Sequence, residues 1–544
     1  MRAPRAIAHH FSGISPNGQK LPTNKASRSA KPGVCSAICR AQITSASNAQ
    51  VYLSHCRPAL CRHTPRPVES VYSLGVHCVR RHDNVTCEAP ASADGSRRVR
   101  VQRRSFLKSV TTASLFATIR PRQAEAALPA AKITRVRAYY PSNFNQTLAQ
   151  SNAVVTVETD IGITGVGEGG TRDLIEQCAG TMIGKDPFRT EALWQEMYMV
   201  WFYAPGREKI HALGALDMAL WDIKGKALKM PLHQILGGAA RDFCECYPTG
   251  GVGGGSGRGG AGRGGAGRGA TPPPPAEAGA NPAGGGRGSG GGLTERARAT
   301  IEAGYRAYRI DASAGGPIAD NVFNTRNRVH AVVQACKEVR EGVGPNGDWT
   351  IDLHQKFDYP DALRCCKLIE DLEPFLVEDP TREEQFLEDI PRLRTMTTVP
   401  IAAGEEWGQR WDFNKLVENH DIDYNRCTLP NVGGITEYLK VMGMCETHVV
   451  GMVPHFTGPI STAALVNCLA TFPGPVLFEY NYGDRPIDYL PEFLDFRKGK
   501  LYPNTRPGLG VTLDLKPLKM VCEVTEGVRS TRIYRRPDGS YTHW

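Results

Sequence analysis

The sequence predicts an α/β protein in which a parallel barrel forms the larger part and a smaller α+β module precedes it. Three observations carry this expectation. From residue 242 onward, short apolar strands alternate with amphipathic helices over about 250 residues, the rhythm of a parallel sheet with crossover helices. The candidate strands number eight, the count that closes such a sheet on itself. Acidic residues recur where successive strands end, on the face where barrels assemble their sites.

From the N-terminus, residues 1–100 are rich in Arg, Ser, Pro, His and Ala without sustained periodicity, and are expected to be largely disordered. The net charge of +10 belongs to this end of the chain. Residues 1–130 hold 20 Lys and Arg against 5 Asp and Glu, leaving 45 against 50 for the rest. A mildly acidic body argues against nucleic-acid binding, which needs a basic patch on the folded domain. Residues 101–127 contain "RRSFLKSVTTASLFATI" and then "AEA", which resembles a twin-arginine export signal with a small-residue cleavage position. This implies a periplasmic or exported protein; a stray basic segment in a cytoplasmic protein is the alternative. Translation starting near Val99 or Val101 would place the signal at the true N-terminus, a hypothesis that peptides recovered from residues 1–90 would exclude. No apolar run approaches the ~18 residues of a membrane-spanning helix. Of sixteen cysteines, six precede residue 90, and the other ten include core-like residues such as Cys445 and Cys468. Neither group has a double CxxC zinc spacing or the density of a disulfide framework.

Residues 130–240 form the α+β module. "ITRVRAYYP" and "NAVVTVETDIGITGVGEGG" alternate as strands do, and "REKIHALGALDMALWDIKGKALKMPLHQILGG" has helical spacing that ends at Gly237–Gly238. The barrel domain spans 241–500. Its strands are "FCECY", "AYRI", "WTIDL", "PFLVE", "PIAA", "DYNRCTL", "VVGMVP" and "PVLFE". "DALRCCKLIEDL", "FLEDIPRLRTM", "TEYLKVMGMCETH" and "TAALVNCLATF" are helices between some of them. A Gly/Arg/Pro-rich insertion at 249–293 separates the first strand from its helix and has too few apolar residues to pack a core. With four Arg and no aromatic side chain it is poorly suited to stacking RNA bases. It falls in the first βα loop, on the face where barrel sites form.

Asp352, Glu378 and Glu405 follow "TI", "PFLV" and "PIAAG", at separations of 26 and 27 residues, about one βα unit each. Three neighbouring parallel strands would therefore present three carboxylates to one point. Such a cluster repels itself and protonates unless a cation joins it. Oxygen-only ligands suit Mg²⁺, whereas zinc favours Cys and His. Asp379, Glu383, Glu384 and Glu406 are adjacent and read as supporting or surface residues. His354 shares a strand with Asp352 at a spacing of two, so both side chains should face one side. His455 and Glu479 end the last two strands. Two imidazoles flanking a metal suit removal of a proton beside a carboxylate and departure of a hydroxide.

The stretches "IDLHQKF", "LVEDP", "IAAGEEW", "NVGGITEYLKV", "VPHFTGPISTAAL" and "PGLGVTLD" resemble the mandelate racemase/muconate lactonizing branch of the enolase superfamily. They are most similar to its galactonate-dehydratase-type sugar-acid dehydratases, over roughly 130–544 apart from the insertion. The resemblance implies a modified (β/α)7β TIM barrel with an N-terminal α+β capping domain completed by the C-terminal segment 501–544. It implies Mg²⁺ held by Asp352, Glu378 and Glu405, with His455 as general base or acid and His354 as acid for the departing hydroxyl. Glu479 would hydrogen-bond the substrate carboxylate or its enediolate, and Arg309, Asp311 and Lys356 would contact substrate. It also implies a homo-oligomer acting on a small sugar acid, with specificity set by cap loops near "YPSNFNQTLAQ" and "TRDLIEQ" and by the first βα loop.

Two departures qualify it. Where family racemases carry Lys-x-Lys on the second strand, "YRIDA" has Arg309 and Asp311. Where dehydratases place an Asp behind the seventh-strand His, "RCTLPNVGG" has Thr428. The expected activity is dehydration of an aldonate-type acid to a 2-keto-3-deoxy acid. Racemisation or epimerisation of a hydroxy acid, and non-catalytic binding of a sugar acid, are the alternatives.

Overall fold

The computed structural model describes residues 77–81, 84–88, 128–144, 151–200, 206–249, 292–312, 324–382, 386–483, 485–528 and 533–542. The twin-arginine-like segment and residues 250–291 of the insertion lie outside them, as do Glu383 and Glu384. The chain divides into two units, Met1–Ala113 and Ser114–Trp544. In the first, strands β1 (His77–Arg81) and β2 (Asn84–Glu88) pair antiparallel, where the sequence shows no strand pattern.

In the second unit the capping sheet has strands β3 (Ile133–Tyr140), β4 (Val154–Thr159) and β5 (Thr164–Glu168), all antiparallel. The C-terminal strand β16 (Lys519–Val524) adds to the free edge of β3. Helix Arg207–Leu228 lies on β5 so closely that a Cβ at Gly167 would meet the Ala215 carbonyl oxygen at 1.9 Å. The "GVGE" glycines are thus a packing requirement.

Eight parallel strands make the barrel: β6 (Cys244–Tyr247), β7 (Ala307–Asp311), β8 (Asp348–Asp352), β9 (Leu376–Glu378), β10 (Ile401–Ala403), β11 (Tyr424–Asn425), β12 (Gly451–Met452) and β13 (Phe478–Glu479). β7 to β12 are joined in sequence order, and β13 pairs with β6 at Phe478–Cys246. Parallel bridges Thr249–Arg309 and Met452–Val476 link β6 to β7 and β12 to β13, so the ring closes. Among the described residues seven helices follow β6 to β12, which is the (β/α)7β arrangement. Their apolar stripes face the strands; in Thr325–Val343 the buried residues Val329, Val332, Val333, Cys336, Val339 and Val343 follow helical spacing. Tyr247, Ala307, Leu376 and Ala402, on four of the strands, pack with Val453 and Leu477, which flank β12 and β13, in one buried cluster. A hairpin, β14 (Asp495–Arg497) and β15 (Lys500–Tyr502), pairs antiparallel with β6 through β15. The ten cysteines from Cys178 to Cys522 are all buried and unbridged.

Cap and barrel meet through buried acids. Glu168, at the end of β5, accepts the backbone N–H groups of Ile460 (2.8 Å) and Ser461 (2.9 Å) at the start of helix Pro459–Ala470. Asp217 does the same for helix Ile435–Thr447, accepting from Thr436 N (2.8 Å) and its hydroxyl (2.6 Å). Neither helix has a side-chain cap of its own, since Gly458 and Gly434 occupy the capping positions. The acids complement the positive ends of both helices from a different domain.

Candidate active site

The acid series stands where the strand ends put it. Asp352 and Glu378 are register partners at the ends of β8 and β9, and Glu378 pairs across from Ala402 of β10, three residues before Glu405. All three carboxylates are buried, as is Asp379, whose carboxyl group is fully enclosed. Carboxylate oxygens of Glu378, Asp379 and Glu405 lie within 4.8 Å of one another, close enough to share a metal ion. Asp352 is outside that trio because its oxygens are engaged elsewhere: one accepts the His354 backbone N–H at 2.6 Å, the other pairs with Arg309. Asp379, from sequence a supporting or surface residue, is therefore the third acid of the close group.

His354 reaches the cluster by a different route from the one strand alternation suggests. β8 ends at Asp352, and His354 and Gln355 take left-handed backbones (φ 48° and 56°). That conformation costs a non-glycine residue about 1 kcal/mol or more and gathers at functional sites. It leaves the imidazole exposed, with Nε2 3.8 Å from Glu405 Oε1. His455, almost wholly buried after β12, places Nε2 3.5 Å from the other Glu405 oxygen. Thr428, at the position of the missing acid, does not partner His455. Its hydroxyl and the Asn431 amide both donate to the Glu405 backbone carbonyl at 3.1 Å, so they pin the strand end instead.

Two buried guanidinium groups complete the site. Arg309, on β7, pairs with Asp352, lies 3.4 Å from Glu378 and 3.7 Å from Glu479, and donates to the Thr249 hydroxyl at 3.0 Å. Arg426, one residue beyond β11, is fully buried and pairs with Glu378, with Glu479 at 2.9 Å and with Glu405 at 3.6 Å. Its position is legible in sequence only as an anomaly, a charged residue in an apolar strand. Lys356 is exposed on the turn after β8, and Asp311 is half-buried opposite Asp352 in the β7–β8 register.

The electrostatics show that two arginines do not balance five acids. Burial, with Glu378 beside it, pushes Asp352 up to about 8 against the pull of Arg309. Burial pushes Glu378 up to about 7 although Arg426 and Arg309 oppose it. For Glu405 burial acts upward too, but His455, Arg426 and His354 outweigh it and hold the group at about 2. Burial is likewise overcome at Glu479 by Arg309 and Arg426, which keep it well below the usual carboxylate range. Glu479 accepts hydrogen bonds from Thr249, Arg426 and the Phe456 N–H. Burial lowers His455, against the pull of Glu405 and Glu479, and so disfavours its charged form. A cluster that must hold protons to stay buried has the charge deficit that a divalent cation fills, and its all-oxygen donors suit Mg²⁺.

Beside Phe456 and Asn481, next to Glu479, opens a cavity of about 160 Å³ between cap and barrel. Asn143, Ser151 and His211 line it from the cap, and Thr428, Thr457 and Arg485 from the barrel. Of the cap loops expected to set specificity, "YPSNFNQTLAQ" contributes Asn143, while "TRDLIEQ" contributes no lining residue.

Comparison with known proteins agrees with this architecture. Residues 132–237 match the mandelate racemase / muconate lactonizing enzyme N-terminal domain, and residues 292–517 the enolase C-terminal domain-like family. The chain belongs to the mandelate racemase/muconate lactonizing branch of the enolase superfamily. Within that branch it is 32% identical over 432 residues to the D-galactonate dehydratase of Xanthomonas oryzae, covering 76% of this chain and 100% of the relative. It is 31% identical over 406 residues to the D-galactonate dehydratase of Pectobacterium atrosepticum, covering 71% and 95%. Two solved structures share the fold. One is an enolase from Pantoea ananatis with bound D-gluconate and Mg (TM-score 0.58, 24% identity, 71% and 94% covered). The other is L-talarate dehydratase from Polaromonas with Mg and L-glucarate (TM-score 0.56, 24% identity, 74% and 100% covered).

Proposed function

We propose that this chain is a Mg²⁺-dependent sugar-acid dehydratase that converts an aldonate-type acid to a 2-keto-3-deoxy acid. The observation that carries the reading is the meeting of two imidazoles and a cation-ready acid cluster at Glu405. The D-galactonate dehydratases among its relatives support it.

Glu378 and Glu405 would hold the cation, with Asp352 joining them once Arg309 releases it and Asp379 alongside. Bound there, Mg²⁺ supplies a Lewis acid that stabilises charge developing on the substrate carboxylate. His455, whose charged form burial disfavours, accepts the α-proton at Nε2. His354, at the solvent side of Glu405, gives a proton to the β-hydroxyl, which leaves as water. The resulting enol tautomerises to the keto acid. Glu479, beside Arg309 and Arg426, orients both guanidinium groups and hydrogen-bonds the substrate carboxylate or its enediolate through them, and Lys356 meets the substrate from the mouth.

The test is incubation of the protein with a panel of aldonates and Mg²⁺, followed by trapping keto acids with semicarbazide. Keto acid should form, and should disappear on chelation and in His455→Asn. Unchanged turnover in His455→Asn would remove the assigned base, and scrambled stereochemistry without keto acid would favour the epimerase instead.

A further inference from the structure

We infer that Arg426 is a positioning residue acting as an internal counter-cation, so that a divalent ion binds this site in competition with its guanidinium group. The inference rests on the cation reading of the site given above. Three observations carry it.

The first is how the group is held. One terminal nitrogen, Nη1, donates to the Tyr247 hydroxyl at 2.7 Å and to the carbonyls of Val453 and Pro454 at 2.9 and 3.3 Å. Three uncharged acceptors from β6 and the end of β12 therefore fix the fork, and its planar geometry aims Nη2 at the acids. The second is what Nη2 faces. Glu378, Glu405 and Glu479 all lie within ion-pair distance of that one nitrogen. Glu378 and Glu405 are the two carboxylates common to the close acid trio and to the set the sequence names. The third is burial: Arg426 is fully enclosed, so the interaction is screened neither by water nor by salt.

A divalent ion between Glu378 and Glu405 must share these oxygens with a guanidinium that cannot lose its proton. Each cation raises the cost of the other. Arg426 keeps the acids folded together without help, and in exchange weakens their hold on the metal. Arg309 makes the matching contact with Asp352.

The experiment compares the full-length wild type with Arg426→Met and Arg426→Lys by calorimetric Mg²⁺ titration and thermal unfolding with and without Mg²⁺. Arg426→Met, which keeps bulk and removes charge, should bind Mg²⁺ at least tenfold more tightly than wild type. It should unfold at lower temperature in the absence of Mg²⁺ and recover most of that loss with it. Arg426→Lys, which keeps the charge, should bind within a few-fold of wild type. A residue that merely packs would leave Mg²⁺ affinity unchanged or weaker in both variants, and that result overturns the inference while wild-type binding leaves the cation reading standing. If neither wild type nor variant binds Mg²⁺, both fall. Should Arg426→Met fold only with millimolar Mg²⁺ present, the ion has replaced the guanidinium, which supports the inference. Failure to fold with or without Mg²⁺ counts against it.

Discussion

At the scale of single residues, Glu405 joins the parts of the site. One oxygen faces His354, the other faces His455 and Arg426, and its backbone carbonyl is held by Thr428 and Asn431. Glu405→Gln should therefore lower Mg²⁺ affinity tenfold or more and depress turnover with it, measured by calorimetry and keto-acid release. His354→Asn separates the roles: Mg²⁺ affinity should hold while turnover falls by roughly 10²–10⁴, the range for losing a general acid. Equal loss of both would make His354 part of the metal site. The acids were legible from their spacing, since one βα unit per carboxylate is a regularity a single chain can display. Asp379 and Arg426 were not legible as site residues, because their burial depends on neighbours from other strands.

Elements show a division of labour between cap and barrel. Helices Pro459–Ala470 and Ile435–Thr447 start with glycine because the capping acid comes from elsewhere. A Cβ at Gly458 would lie 2.2 Å from the Glu168 carboxyl carbon, so Gly458→Ala should destabilise by about 1–3 kcal/mol. Burial pushes both Glu168 and Asp217 up to about 7. Between an ordinary carboxylate value and about 7 the folded state binds more protons than the unfolded one, so stability falls as pH rises through that window. Glu168→Gln, neutral at every pH, should flatten the decline in unfolding temperature between pH 5 and 8. An unchanged profile would show that Glu168 is ionised throughout. This capping could not be read locally: Glu168 and Ile460 are 292 residues apart.

Across the whole molecule, β16 returns from the C-terminal segment to close the edge of the cap sheet and buries Cys522 and Val524 against it. Truncation before Lys519 should lower the unfolding midpoint by at least about 5 °C, since two buried apolar side chains and a strand's hydrogen bonds are lost. The sequence by itself determined the architecture and the face that carries the acid cluster, because strand–helix alternation and acids at strand ends are periodic along one chain. It also carried the family likeness from residue 130 onward. Only the tertiary structure decided how the charges are settled. Closing the ring brings Arg309 against Asp352 and Arg426 against Glu378 and Glu479, partners more than forty residues distant, and excluding water there strengthens each pairing.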